Sequence, residues 1–511
     1  MKPVLSKINK LKVLYTSAEV YPFAGIGGLG QVAYFLTKAL VKEGVDARLF
    51  LPKYGRIDEK TYPLEMIYEG LEVPAGDDKK IICNIKQLVR DDTESPVVYF
   101  IENMEFYEKR SNVYGYNDDH IRFLLLSSGL MEFLKISEWT PDVINCADWH
   151  TGHIPNLLKT KYADDPKLKK IATVFSIHNL MHQGLFDHKK VTDLDFDNGK
   201  SDIANLFDPA LQKQNFMRRG IMFSDIVTTV SEKYSKEILT PDYGEYLDHL
   251  LREVRTKLIG ILNGIDYTYM NPETDTNILI NYNSKTSTKR QQNKVDLQKE
   301  FDLEVKDVPI LGMVTRLDAQ KGLDLVSQII DSLLIEYDIQ VVIIGGGDSQ
   351  FVGFFSELEN RYKKRVGTHL MPDFILPKKI FSGADIILIP SKFEPCGITQ
   401  MEAMRYGCVP VARNTGGLAD SITDFDAKTG EGNGFLFNNY NSYALFGAIV
   451  RAIENYNKPD IWRKIVESGM NTDFSWENSA KKYISVYKRA MGLRRSMGGH
   501  NNINELFYQI G

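Results

Sequence analysis

Strand-like runs alternate with amphipathic helical stripes along this 511-residue chain, and the alternation starts twice. Lys12–Ser17 is a short β run, and after a glycine-rich turn Leu29, Val32, Ala33, Leu36, Ala39 and Leu40 recur at helical spacing. Gly44 stops that helix and Ala47–Leu51 reads as the next strand, which completes a βαβ unit. Further strands are expected at Val143–Cys146, Ile171–Ile177 and Ile226–Val230. The second series begins with Ile310–Val314. Leu323, Val326, Ile330, Leu333 and Leu334 then form a helical stripe, and Gln340–Ile344 is closed by Gly345, Gly346 and Gly347. Ile386–Ile389 and Val409–Ala412 follow. Strands joined by helical crossovers build parallel sheets covered on both faces. The expected fold is therefore α/β, with two Rossmann-like doubly wound domains facing a central cleft. We set them at residues 1–259 and 260–491, with a loosely held tail at 492–511 and an exposed polar segment at Asn277–Asn293.

Composition narrows the partners. A net charge of −5 from 62 basic and 67 acidic residues gives no overall basic field, so nucleic acid is not expected. No run of 18 apolar residues occurs, so no membrane partner is expected. Cys83, Cys146, Cys396 and Cys408 are too few and too scattered for a disulfide framework, which fits a reducing, cytoplasmic location.

Four segments carry candidate chemistry. The first is the turn Gly25–Gly30 (GIGGLG), which either admits a phosphate at a helix N-terminus or is a plain tight turn. The acidic residue of a dinucleotide fingerprint is missing, since Phe50, Leu51 and Pro52 end the second strand. The second is Thr315–Gly322 (TRLDAQKG). Arg316 and Lys321 leave the C-terminal end of a sheet there, where open α/β folds bind ligands, and two cations suit a diphosphate. The third is Phe393–Glu402. Glu394 and Glu402 stand eight residues apart with Gly397 opening a helix between them, a span of at most about 12 Å at the helical rise. Asn414–Asp420 (NTGGLAD) follows as another glycine turn before a helix. The fourth is a set of histidines, His150, His153, His178, His182 and His188, whose spacings match no compact zinc motif. Asp193, Asp195 and Asp197 have D-x-D spacing but read as a solvated acidic loop. No metal and no cofactor are expected.

Taken in order from Lys12 to Met491, the motifs resemble the bacterial glycogen synthase and plant starch synthase family, retaining glycosyltransferases of the GT-B fold. The matching segments include VLYTSAEVYPF, GGLGQVA, DWHTGHIP, FSIHNLMHQG, LNGIDYTYMNPETD, TRLDAQKGLDL, GADIILIPSKFEPCGITQMEAMRYG and NTGGLADSI. The resemblance implies catalytic roles for His178, Asp148, Glu394, Arg316 and Lys321. It implies donor contacts from Gly27, Gly28, Asn263, Cys396, Gly397, Glu402, Thr415, Gly416, Gly417 and Leu418, and acceptor contacts from Tyr116 and Asp118. Its partners would be a nucleotide-glucose donor, ADP-glucose, and an α-glucan acceptor.

Two departures stand out. The family pattern at the first turn is K-x-G-G-L, and Gly25 holds the lysine position here, while Gln31 replaces an acid. Glu402 stands where many bacterial members have tyrosine. UDP-glucose as donor, another acceptor, or a non-catalytic glucan-binding homologue are the competing readings. A nicotinamide dehydrogenase is disfavoured by the missing acidic ribose position.

Overall fold

The computed structural model describes residues 10–76, 78–90, 92–186 and 197–497. The chain forms two compact units. Unit 1 is Met1–Val230, Ser235–Ile261 and Trp476–Gly511, and unit 2 is Ser231–Tyr234 and Leu262–Ser475.

Unit 1 holds the strands β1 Lys12–Thr16, β2 Asp46–Pro52, β3 Leu64–Gly76, β4 Lys79–Leu88, β5 Val97–Glu102, β6 Val143–Ala147, β7 Ala172–Ile177, β8 Ile226–Thr229 and β9 Leu258–Gly260. They pair in the order β3-β4-β5-β2-β1-β6-β7-β8-β9. All pairs from β5 to β9 are parallel, as the βαβ pattern predicts. The antiparallel β3–β4–β5 edge was not foreseen. Register shifts at Met66/Tyr68, Tyr68/Leu71 and Pro74/Gly76 break its alternation, so no clean two-residue period survives in the sequence. The central strands are buried on both faces; Val13, Leu14 and Tyr15 have no exposure. Each such side chain contributes roughly 1.5–3 kcal/mol of burial.

Unit 2 holds β10 Ile310–Val314, β11 Gln340–Ile344, β12 Val366–His369, β13 Ile386–Ile389, β14 Val409–Arg413 and β15 Phe435–Phe437, ordered β12-β11-β10-β13-β14-β15 and parallel throughout. The chain winds outward from β10 to β12, then returns to β13 on the other side of β10. The same reversal occurs in unit 1 between β1 and β6. Both reversals are topological switch points, where the loops after adjacent strands part and leave a crevice.

Three expectations are corrected. The helix Trp476–Met497 belongs to unit 1, although the sequence reading ran the second domain to residue 491. Its buried stripe of Ala480, Tyr483, Tyr487 and Ala490 seats there, and the Tyr487 hydroxyl donates to Asn145 Oδ1 at 3.0 Å. Residues 492–497 continue this helix rather than starting a loose tail, and residues 498–511 lie outside the described residues. The polar segment 277–293 is only partly exposed. Asn293 is buried because its side chain exchanges two hydrogen bonds of 2.9 Å with the backbone of Ile280, and Arg290 because it donates to the carbonyls of Phe381 and Ala384.

Candidate active site

The switch point of unit 2 gathers the cation and the carboxylate that the sequence singled out. Lys321 Nζ donates to Glu394 Oε2 at 2.7 Å, and Ser391 Oγ donates to the same oxygen at 3.1 Å. Their side chains are only 17% and 13% exposed, so this pair is screened far less than a surface pair. Lys321 follows β10 and Glu394 follows β13. The two loops are laced by Lys392 N donating to Gln320 O at 2.7 Å and Gln320 Nε2 donating to Phe393 O at 3.2 Å. Gly322 makes this approach possible. Its φ is +72°, and a Cβ there would lie 2.0 Å from the carbonyl oxygen of Pro390. Arg316 does not join the pair. It is 72% exposed and meets Asp318 at 3.0 Å.

The second glycine turn packs backbone to backbone against the Glu394 loop. Gly417 N donates to Glu394 O at 3.1 Å, and a Cβ on Gly417 would lie 1.9 Å from Cys396 O. Gly416, with φ +45°, meets Glu394 O just as closely. Thr415 immediately precedes the short helix Gly416–Ser421, and Leu418 is buried in the core. Gly397, at φ +68°, makes a left-handed turn, and the following helix begins at Thr399. Glu394 therefore lies outside that helix, and the helical rise does not set its distance to Glu402. Burial pushes the Cys396 thiol up to about 12, and Asn263 stands beside it. Burial also pushes Glu402 up to about 7, against the opposing charge of Lys378.

Unit 1 builds a second polar crevice after β1, β6 and β7. The Asp148 carboxylate accepts from His178 N at 2.7 Å and from the backbone of Asn179. Burial raises Asp148 to about 7, and nearby Glu19 adds to the shift. Burial lowers His178 to about 4, so its imidazole is neutral at pH 7; its Nε2 lies 3.3 Å from the Tyr15 hydroxyl. Asp148 has φ 55° and ψ −176°, a conformation natural to glycine. Burial, backbone strain and a pKa moved toward neutrality together make Asp148 a candidate site residue.

Glu19 and Tyr114 belong to this crevice and were missed. Glu19 is buried; its Oε2 accepts from Ile26 N at 2.6 Å and Gly27 N at 2.9 Å, and its Oε1 accepts from the Tyr114 hydroxyl at 2.8 Å. Two amides of the first glycine turn are thus engaged by the protein's own carboxylate. Gly28 begins the helix Gly28–Lys42. No spacing rule points from Glu19 to a turn seven residues on; only its place after β1 could have drawn notice. Tyr116 and Asp118 sit in a loop held by arginines. Asp118 pairs with Arg110 at 2.5 Å, and the Tyr116 ring lies 4.9 Å from the Arg122 guanidinium.

The histidines divide. His153 is a buried core residue with Nε2 3.2 Å from Gln214 Oε1 and Nδ1 unpartnered, and burial pushes it down to about 3. His150 is buried and stacks on Trp149 at 3.9 Å. Among the described residues no group of three or more His, Cys, Asp or Glu is arranged to hold a metal. His188, Asp193 and Asp195 lie outside the described residues. Asp197 is not solvated as expected; it is buried and pairs with Arg219 through both oxygens at 3.0 Å.

Comparison with known proteins decides the family. The "Starch synthase catalytic domain" model matches residues 12–253, and "Glycosyl transferases group 1" matches residues 295–468. A glycogen synthase of Desulforamulus reducens is 41% identical over 94% of this chain and 99% of its own. The chain belongs to the glycogen synthase and starch synthase family of glycosyltransferases. Another relative, the glycogen synthase of Geobacillus stearothermophilus, is 42% identical over 94% of this chain and 98% of its own. Among solved structures, the catalytic domain of Starch Synthase IV from Arabidopsis thaliana, bound to ADP and acarbose, superposes with a TM-score of 0.81 at 33% identity. It covers 94% of this chain and 100% of its own. The two-unit α/β architecture is the GT-B fold of this glycosyltransferase family.

Family membership sharpens the view of Gly25. A Cβ built there meets no atom within 4 Å, and Gly25 is not among the glycines of positive φ. The missing lysine is thus not excluded by the local backbone.

Proposed function

We propose that this enzyme transfers glucose from ADP-glucose to the non-reducing end of an α-1,4-glucan, with retention of configuration, in the cytoplasm. The observation that carries the reading is the Lys321–Glu394 pair, held at 2.7 Å inside a switch-point crevice walled by the backbones of Gly416 and Gly417. A lysine beside a close-packed glycine turn meets a diphosphate. A carboxylate beside it accepts two hydroxyl hydrogen bonds from a sugar. We assign a front-face reaction, which retains configuration without a protein nucleophile. The acceptor hydroxyl attacks from the side the diphosphate leaves, and the diphosphate takes its proton. Lys321 and the exposed Arg316 stabilise the charge that grows on the leaving group. The neutral imidazole of His178 hydrogen-bonds sugar hydroxyls without competing for the diphosphate, and Asp148 orients that loop through the His178 amide. Cytoplasmic location is supported by four unpaired, buried cysteines. Among the described residues, no helix is long and apolar enough to cross a membrane.

Labelled ADP-glucose tests the reaction. Label incorporated into glycogen should be released as maltose by β-amylase, which trims α-1,4 chains from the non-reducing end. Label resistant to that digestion would refute the assigned linkage or chain end.

A further inference from the structure

We propose that Tyr246 is an acceptor platform, on whose ring face an α-glucan chain rests a few glucose units from the reacting end. The proposal rests on the glucan-acceptor reading above and adds the residue that holds the chain away from the chemistry. Glu245 and Tyr246 are consecutive non-glycine residues with φ of +46° and +63°. For a bulky residue such a backbone is a true outlier, and it persists only where its surroundings over-determine it. They do so here. Gly244 N donates to Thr240 O at 2.8 Å, Leu247 N donates to Gly244 O at 2.7 Å, and Leu247 is fully buried. Gln183 Nε2 then donates to Glu245 O at 2.7 Å.

A glycine at 246 would adopt this conformation without strain. Tyrosine packs nothing in return, since it is 87% exposed. What the turn gains is an aromatic face held outward on a fixed backbone. Gln183 ties that face to the catalytic crevice of unit 1. It lies five residues beyond His178, a span of at most about 18 Å of chain. Its own Oε1 accepts from Asn215 Nδ2 at 2.8 Å, so the tether is fixed at both ends. The C–H face of a pyranose carries partial positive charge and matches the negative face of an aromatic ring. Tyrosine offers that contact with little side-chain entropy to lose.

The test uses the full chain with Tyr246→Ala, Tyr246→Gly, Tyr246→Phe and Tyr246→Trp. Glycogen cast in a native gel should retard wild type, Phe and Trp, and retard Ala and Gly much less. The KM for glycogen should rise about three- to tenfold in Ala and Gly, the size of a lost aromatic contact, with kcat retained. The KM for maltose, too short to reach the platform, should not move. Tyr246→Gly guards against a folding artefact, because relief of strain should leave its Tm at or above wild type. Wild-type retardation and wild-type KM in Tyr246→Ala would overturn the proposal. A fall in Tm for Tyr246→Gly would overturn the strain argument behind it. If no variant transferred glucose, wild type included, the proposed reaction would fail, and the gel alone would decide the platform.

Discussion

Asp148 bears two separable costs, and three substitutions separate them. Its φ of 55° and ψ of −176° fall in a region that is essentially glycine's, at a cost of about 1–3 kcal/mol. The geometry is pinned from both sides: Asp148 N donates to Ser176 O at 2.9 Å, and Thr151 N donates to Asp148 O at 3.1 Å. Asp148→Gly and Asp148→Ala lose the same carboxylate bonds, but only glycine relaxes the strain. Glycine gives back roughly 0.5–1 kcal/mol in unfolded-chain entropy. The Gly variant should therefore be more stable than the Ala variant by roughly 0.5–2 kcal/mol. Both should be severely impaired in glucosyl transfer.

The second cost is the buried charge. The carboxyl rises from 3.8 to about 7, so the folded state holds its proton more tightly than the unfolded state. Its contribution to stability is full below about pH 4 and is lost as pH rises to 7. That loss is on the order of 4 kcal/mol in all. Asp148→Asn keeps an acceptor for His178 N and removes the titration, so its stability should fall less than wild type between pH 5 and 8. His178, depressed to about 4, acts with the opposite sign and in both proteins alike. Urea titrations followed by tryptophan fluorescence suit the purpose, because Trp139, Trp149 and Trp476 all lie in unit 1. Equal midpoints for the Gly and Ala variants would refute the strain argument, and parallel pH profiles for Asn and wild type would refute the charge argument.

Lys321→Ala and Arg316→Ala should each lower kcat/KM more than 100-fold, the size of a lost diphosphate contact. Only Lys321→Ala should also lower Tm, because it leaves Glu394 without its cation, whereas Arg316 is mostly exposed; near-wild-type kinetics in both would remove their role. Gly417→Ala would drive a methyl to 1.9 Å from Cys396 O and should raise the donor KM with a lower Tm, and a wild-type KM would argue that this turn does not shape the donor crevice. Gly25→Lys enters open space and should fold normally and lower the KM for the nucleotide-glucose. An unchanged KM would mean that another cation already serves there.

Much of the architecture was legible because parallel strands are short, apolar on both faces and punctuated by glycine. Ile310–Val314, Gln340–Ile344 and Ile386–Ile389 are strands at the bounds read from the sequence. The bulged β3–β4 hairpin was not legible, since its register shifts erase the alternation that marks a strand. The helix Trp476–Met497 was not read from the sequence, and chain order gave no hint that it returns to unit 1. In the site, Lys321 and Glu394 were found as charges after strands, and their 2.7 Å contact follows from the switch point. Glu19 and Tyr15 were not found. Each acts through a partner far along the chain, Tyr114 for Glu19 and His178 for Tyr15, and single-residue chemistry does not reveal such partnerships.

The central claim is a donor and acceptor pair, and one assay meets it directly. Nucleoside diphosphate release is followed with ADP-glucose and with UDP-glucose, each with and without glycogen. The account predicts release from ADP-glucose that depends on glycogen and exceeds release from UDP-glucose, with Lys321→Ala abolishing it. Preference for UDP-glucose would contradict the assigned donor, and no glycogen-dependent release from either would contradict the assigned reaction.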